Sequence, residues 1–385
     1  MPSFGDWRLK INRLHIVCFD IPDPPTYGGA IDVFYRIKAL AESGVRITLH
    51  CFYKGAERRS EVLEQLCEQV YYYPRRTSFR QQLHWRPYGV VSRTHADLLP
   101  RLLANDAPIL FEGLVSCDLM AHPALCARRK FFRECNVEHD YYHALGRATR
   151  SWSKKLFFHI EAERLRWFER CLKHAEGIFA LAHQDEAYFR QHYPSTTAYI
   201  PCFHGNERVQ KPVEPETPYI LYHGNLAVAE NEKAALYILT HLADSIPARI
   251  VIAGNKPSKA LYEAVEAHAN VTLAGSPDKE QMEHLINGAH VHLLITFQAT
   301  GIKLKLLNVL YAGGHVVVNP PMVTGTDIAE LCAVGRDDQE LIHLCRHYID
   351  QPISADDQAR RQAVLNRTYN DKLSAQQITQ ILFEA

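Results

Sequence analysis

Residues 200–225 read IPCFHGNERVQKPVEPETPYILYHGN, and they divide the chain into two halves of one kind. Pro201, Pro212, Pro215 and Pro218 stand among polar residues without helical periodicity, so residues 200–218 read as a linker. Residues 219–223 then form a short run of apolar and aromatic residues closed by Gly224 and Asn225, the mark of a strand entering a turn. Working outward, the same pattern appears on both sides. Candidate strands fall at 14–19, 46–52, 69–73, 108–113, 131–136 and 177–182 before the linker, and at 219–223, 249–253, 271–274, 291–295 and 316–319 after it. Helical or turn segments separate them, and that alternation predicts parallel sheets. The expected organisation is a domain at 1–204, a linker at 205–218, a second domain at 219–367 and a closing helix at 368–385, where Ile378, Ile381 and Leu382 keep helical spacing. Two such α/β domains would turn the carboxyl ends of their strands toward one cleft, where open parallel sheets bind ligands.

Composition agrees and narrows the partners. At 385 residues the chain exceeds what one hydrophobic core usually supports. With 47% hydrophobic and 22% charged residues it is an ordinary globular protein. Forty-three basic residues balance forty-three acidic ones, which removes the electrostatic signature of a nucleic-acid binder. The ten cysteines show no C-x-x-C pair and several lie in apolar runs, as buried free thiols of a reducing compartment do. Residues 1–10 lack the apolar stretch of a signal peptide, and no run of about 18 apolar residues occurs. The expected location is the cytoplasm.

Three turns could carry chemistry. Gly28 and Gly29 precede the helical pattern Ile31, Phe34, Tyr35, Ile37, Lys38 and Leu40, so their amides and the positive helix end could meet an anion, or simply start a helix. Gly224 and Asn225, like Gly254, Asn255 and Lys256, suit either a phosphate or a plain strand-to-helix connection. Residues 300–308 read TGIKLKLLN after a strand and open a helix ending near Gly313. Amides of Gly301 and Ile302 there, with Lys303 and Lys305, could neutralise a diphosphate, and Thr300 and Asn308 could hydrogen-bond hydroxyls; solvated helix charges are the plain alternative. The polar run RECNVEHDYY at 133–142 puts Glu138 and His139 at a strand's end, an active-site candidate or a polar rim. No His, Cys, Asp and Glu spacing matches a zinc template. In 152–173, apolar Trp152, Leu156, Ile160, Leu165, Phe168 and Leu172 recur at helical spacing among Lys154, Lys155, Arg164, Arg166 and Arg170. That stripe suits packing on its own domain or peripheral contact with the inner membrane face, with Glu161, Glu163 and Glu169 diluting the basic side.

These motifs together resemble the retaining glycosyltransferases of sequence family 4, over nearly the whole chain. CNVEHDYY at 135–142 is similar to the bacterial H-N-[IV]-E-H-x-Y-Y pattern, and Gly224, Asn225, Leu226 to its G-[RN]-[LM] turn. The loop with Pro25, Gly28 and Gly29 is similar to the glycine-rich loop of the family, and residues 300–313 to its donor helix, usually E-x7-E, with Lys305 three places before the second position. Thr300 and Asn308 replace the two glutamates, Cys135 the usual His, and Asn225 a common diphosphate-binding Arg.

The resemblance implies the GT-B fold, two Rossmann-like doubly wound domains facing a cleft. It also implies a nucleoside diphosphate sugar as donor substrate, retention of configuration, a glycan or lipid-linked acceptor, and no cofactor or tightly bound metal. Glu138, His139 and Lys305 are then the candidate catalytic residues. Gly224, Asn225, Lys256, Thr300, Gly301, Ile302, Lys303 and Asn308 are the candidate donor contacts, and Gly28 and Gly29 an acceptor or phosphate loop. Surface-polysaccharide assembly is the family-level expectation. The four departures keep open an inactive sugar-nucleotide-binding or partner subunit; a sugar-nucleotide epimerase has less support, since no acid/base carboxylate pair stands out.

Overall fold

The computed structural model describes residues 11–149, 151–211, 217–297 and 303–384. They form two compact units, 1–203 together with 371–385, and 204–370.

In the first unit the strands are β1 (Arg13–Cys18), β2 (Arg46–Tyr53), β3 (Gln69–Pro74), β4 (Ile109–Glu112), β5 (Lys130–Arg133), β6 (Gly177–Ala180) and β7 (Thr196–Tyr199). In the second they are β8 (Tyr219–His223), β9 (Arg249–Gly254), β10 (Val271–Gly275), β11 (Val291–Leu294), β12 (His315–Val318) and β13 (Ala333–Val334). Their orders are β3-β2-β1-β4-β5-β6-β7 and β10-β9-β8-β11-β12-β13, and the pairings are parallel. Both sheets therefore reverse direction beside their first strand, between β1 and β4 and between β8 and β11. The central strands are buried on both faces, as expected where helices cover each side: every residue of β4, β5, β8 and β11 is buried.

The sequence pattern placed eleven of these strands to within a few residues. It passed over β7, four residues of which none is buried and two are threonines, and the two-residue β13, because an edge strand needs little apolar alternation. It also extended β5 too far: the strand ends at Arg133, and a helix begins at Glu138 inside the polar run read as an active-site candidate or a polar rim. Glu138 and Asp140 fall in that helix's first turn, where carboxylates favour the positive end.

The last helix, Asp371–Phe383, returns to the first unit. Ala375, Ile378 and Leu382 are buried in its core with Val33, Ile37 and Leu40 of the first helix, Gly28–Glu42. Arg129 Nη1 donates to Leu382 O at 2.9 Å. Within the expected linker, residues 205–211 are tied to the second unit instead of running free. Val209 N donates to Gln362 Oε1 at 2.7 Å and Gln210 N to Tyr311 O at 2.7 Å.

Candidate functional site

Each sheet's reversal point gathers polar groups at the carboxyl ends of its strands. In the first unit the chain leaves β1 through Phe19 and Asp20 and enters the first helix at Gly28. The Tyr27 hydroxyl donates to Asp20 Oδ2 at 3.2 Å. The N–H groups of Gly28 and Gly29 lie in the turn where a helix leaves its donors without intrahelical partners. A Cβ on Gly29 would stand 3.2 Å from the Phe19 ring, so a side chain there would press on the loop. After β4, Gly113 takes φ +69, and its added Cβ would meet Cys135 Sγ and Phe19 at 3.4 Å. Cys135 follows β5, and burial keeps its thiol protonated, with the carboxylates of Glu138, Glu112 and Asp32 adding to the effect.

Glu138 and His139 adjoin in sequence and part in space. Burial raises Glu138 to about 7, against the pull of Arg93 and with Glu169 adding to the rise. Arg93 donates from Nε to Phe19 O at 2.6 Å, and burial lowers it to about 10. His139 instead pairs through Nδ1 with Glu169 Oε2 at 3.2 Å, and that hydrogen bond raises its pKa. Tyr188 and Tyr193 donate to the other oxygen of Glu169 at 2.7 and 2.8 Å. The geometry thus gives Glu138 a carboxyl that can be charged or neutral near neutrality, and His139 a place in a buried network that holds the helix.

Beneath this point lies a charged network the sequence reading missed. Arg36 bonds to Glu112 through Nε at 3.2 Å and also through Nη2, and it is paired with Asp32 as well. Arg133 reaches Asp32 Oδ1 at 3.1 Å and donates to Ile200 O at 2.6 Å, while Phe203 N donates to Asp32 Oδ1 at 2.8 Å. All four charged side chains are buried. The signal was available: Asp32, Arg36 and Leu40 recur every four residues on the first helix, and Glu112 ends an otherwise apolar strand.

In the second unit β8 ends at His223, and Gly224 N donates to Ala253 O at 3.1 Å, joining the two turns that follow β8 and β9. Gly254 has to be glycine, since its Cβ would lie 1.9 Å from Gly224 O. Asn225 is exposed, and its Oδ1 accepts from Ala227 N at 3.2 Å. Lys256 is exposed and left-handed, with φ 53, and its N–H donates to Ser276 Oγ at 3.0 Å. The helix Leu304–Ala312 begins at Lys303 and stops at Gly313, which is left-handed. Thr300, Gly301 and Ile302 lie outside the described residues.

Lys305 turns toward the β8 turn. Its Nζ donates to Asn231 Oδ1 at 3.2 Å and sits 5.7 Å from the centre of the Tyr222 ring, and Asn231 Nδ2 in turn donates to Asn225 O at 3.0 Å. Burial lowers Lys305 to about 8, with Glu230 opposing and Lys303 adding. Burial also lowers Lys303, again against Glu230. Glu230 accepts a hydrogen bond from the Thr296 hydroxyl beyond β11. His223, buried below, is held neutral at about 4 by burial, with Lys305 adding. Among the described residues the point therefore brings two lysines and the Glu230 carboxylate together next to two strand-to-helix turns. Asn308, one turn further, accepts from Asn206 Nδ2 at 3.2 Å. Among the described residues no group of three His, Cys, Asp or Glu side chains could hold a metal ion.

No known family profile matches the chain. An uncharacterized 44.6 kDa protein in the cps region of Klebsiella pneumoniae is 23% identical over 344 residues, 85% of this chain and 88% of that protein. WaaG, a glycosyltransferase involved in lipopolysaccharide biosynthesis, is similar with a TM-score of 0.64 at 13% identity, over 97% of this chain and 100% of WaaG. HepE of Anabaena, solved in complex with UDP and glucose, has a TM-score of 0.62 at 13% identity, over 97% of this chain and 100% of HepE. At such identities the likeness is one of fold, and it spans both units: the chain has the GT-B fold, built from two Rossmann-like parallel-sheet units.

Proposed function

We propose that this chain transfers a sugar from a nucleoside diphosphate sugar to a glycan or lipid-linked acceptor, with retention of configuration, in the assembly of a bacterial surface polysaccharide. The observation that carries this reading is the pair Lys303 and Lys305 beside Glu230 where the second sheet reverses, with Lys305 hydrogen-bonded to Asn231 at the β8 turn. A diphosphate placed there would replace the hydration that burial has taken from both ammonium groups. As the bond to the sugar breaks, charge grows on the leaving phosphate, and lysines and helix-start amides stabilise that charge more than the ground state. Gly224, Asn225, Lys256, Thr300, Gly301, Ile302 and Asn308 complete the donor side on this reading, with no bound metal required.

Gly28, Gly29 and Glu138 serve the acceptor side. Near pH 7 Glu138 can exchange a proton with an acceptor hydroxyl, while His139 holds the helix that carries it. The ten free cysteines suit a cytoplasmic setting. The UDP and glucose bound to HepE, the lipopolysaccharide role of WaaG and the cps location of the Klebsiella relative all support the donor class and the polysaccharide setting.

The test is a thermal-shift and hydrolysis screen against UDP-, GDP-, ADP- and dTDP-sugars, with and without a divalent metal. The expected result is stabilisation by one donor class, slow hydrolysis of that donor, and no dependence on metal. A second reading, a subunit that binds sugar nucleotides without turning them over, is favoured by two of the departures. Asn308 is already engaged by Asn206, and the Cys135 thiol stays protonated, so neither supplies the charge of the residue it replaces. Donor binding without hydrolysis or transfer would select that reading, and no shift with any donor would remove both.

A further inference from the structure

The chain is neutral overall, yet one face of the first unit is both basic and aromatic. Residues 75–86, RRTSFRQQLHWR, hold four arginines and no acid. They lie against the helix Trp152–Phe168: Arg164 Nη1 donates to Gln82 O at 3.1 Å, and the Trp85 and Trp167 rings meet edge to face at 4.7 Å.

That helix does not follow the single stripe the sequence suggested. Leu165 and Phe168, and Leu172 beyond them, are buried, and Glu161 and Ala162 share their inward side. Trp152, Leu156, Ile160 and Trp167 recur at i, i+4, i+8 and i+15 on a different face and stay in solvent. Trp152 is 77% exposed, Trp85 61% and Trp167 47%, and Phe79 and Leu83 beside Trp85 are exposed as well. Apart from the contact of Trp167 with Trp85, this apolar stripe points away from the core of its own unit.

The surrounding charge indicates what would cover it. Lys154, Lys155, Arg166, Arg170 and Lys173 are exposed on the helix or just after it, and Arg76 and Arg80 on the neighbouring segment. Of the three acids in this stretch, Glu161 is engaged by Arg164 and Tyr88 N, and Glu169 by His139 and two tyrosines. Glu163 is the exposed one, and His143 Nε2 lies 3.2 Å from it. Two copies of so basic a face would repel each other, whereas aromatic residues set among lysines and arginines match an anionic lipid surface.

We propose that this face docks the protein peripherally on an anionic phospholipid bilayer, with Trp85, Trp152, Leu156, Ile160 and Trp167 in the headgroup layer. Among the described residues no helix is long and apolar enough to cross a membrane, so this would be contact in the plane of the surface. The inference is independent of the transferase reading.

Three of the four tryptophans lie in the face, so intrinsic fluorescence reports on it directly. The full chain is mixed with phosphatidylcholine vesicles with or without phosphatidylglycerol, and with vesicles carrying brominated acyl chains. The expected result is a blue shift and bromine quenching with phosphatidylglycerol only, reversed by about 0.5 M salt. Lys154→Glu with Lys155→Glu, and separately Trp152→Ser with Leu156→Ser, should each weaken partitioning about ten-fold or more while leaving circular dichroism unchanged, because all four positions are exposed. A folded wild-type chain that ignores phosphatidylglycerol vesicles would overturn the proposal. So would a spectral change that follows protein concentration without lipid, which would mark the face as an interface between copies.

Discussion

The two units solve one problem in two ways. Both sheets reverse beside their first strand, and both bury ionisable groups beneath the reversal point. The first unit, besides holding His15 and His50 neutral by burial, buries charges and pairs them, with Arg36 and Arg133 against Asp32 and Glu112. The second buries His223 and His292 and keeps them uncharged by desolvation. The first is internally neutral, so its reversal point presents Glu138 and Arg93, a carboxyl and a guanidinium that offset each other. Among the described residues the second shows no buried pair of opposite charges below its lysines, and Lys303 and Lys305 stand near Glu230. On the reading proposed above, similar strand order would yield one reversal point for an acceptor hydroxyl and another for a diphosphate.

The sharpest way to break this comparison is to remove one charge from the first unit and one ring from the second. Arg36→Met leaves Glu112 buried without its main partner and Asp32 with Arg133 alone, and should cost about 3–5 kcal/mol. Urea unfolding followed by circular dichroism should show the loss as an early transition. His292→Leu should cost little or stabilise, because both of its ring nitrogens are buried without a hydrogen-bond partner among the described residues. If the two substitutions cost the same, the contrast between paired and neutralised burial fails.

Next in size is Lys305→Ala. If the second reversal point stabilises a leaving diphosphate, donor turnover should fall about 100-fold, or ~3 kcal/mol, with little change in melting temperature. The pH dependence sharpens the test. Lys305 titrates at about 8 without ligand, and a bound diphosphate would raise that value, so donor affinity should decline as pH rises through 8. Calorimetry in buffers of different ionisation enthalpy should detect the accompanying proton uptake. An affinity flat from pH 7 to about 9.5 would separate Lys305 from the donor.

Much of the fold was legible because a parallel sheet covered on both faces writes itself as short apolar runs, and eleven strands came from such runs. The halves were legible because prolines at 201, 212, 215 and 218 interrupt them. What could not be read was partnership across the chain. Asp32 and Arg133 are 101 residues apart, and nothing local marks them as a pair. The separation of Glu138 from His139 was equally hidden, since adjacent helical residues point about 100° apart and only the fold decides which side meets Glu169. The apolar stripe at 152–172 was visible, but its division into a buried half and an exposed half depended on where the neighbouring segment 75–86 would lie.

A test at Glu138 distinguishes a working carboxyl from a structural one. Its pKa rises from the ordinary 4.5 to about 7, mainly through burial. A raised carboxyl favours the folded state while it is protonated. That contribution is whole below about 4.5, declines as pH rises, and is gone above about 7. Glu138→Gln, which cannot ionise, should match the wild type near pH 4 and become more stable between pH 4.5 and 7, with an advantage of ~3 kcal/mol that stays level above 7. Urea midpoints across that range measure it. The same variant should lose the limb of the transfer pH profile near 7 if Glu138 exchanges a proton with the acceptor, and keep that limb if the carboxyl is only buried. A stability gain together with an intact limb would leave the first reversal point without an acid or base, and the contrast with the lysines of the second would then be one of binding alone.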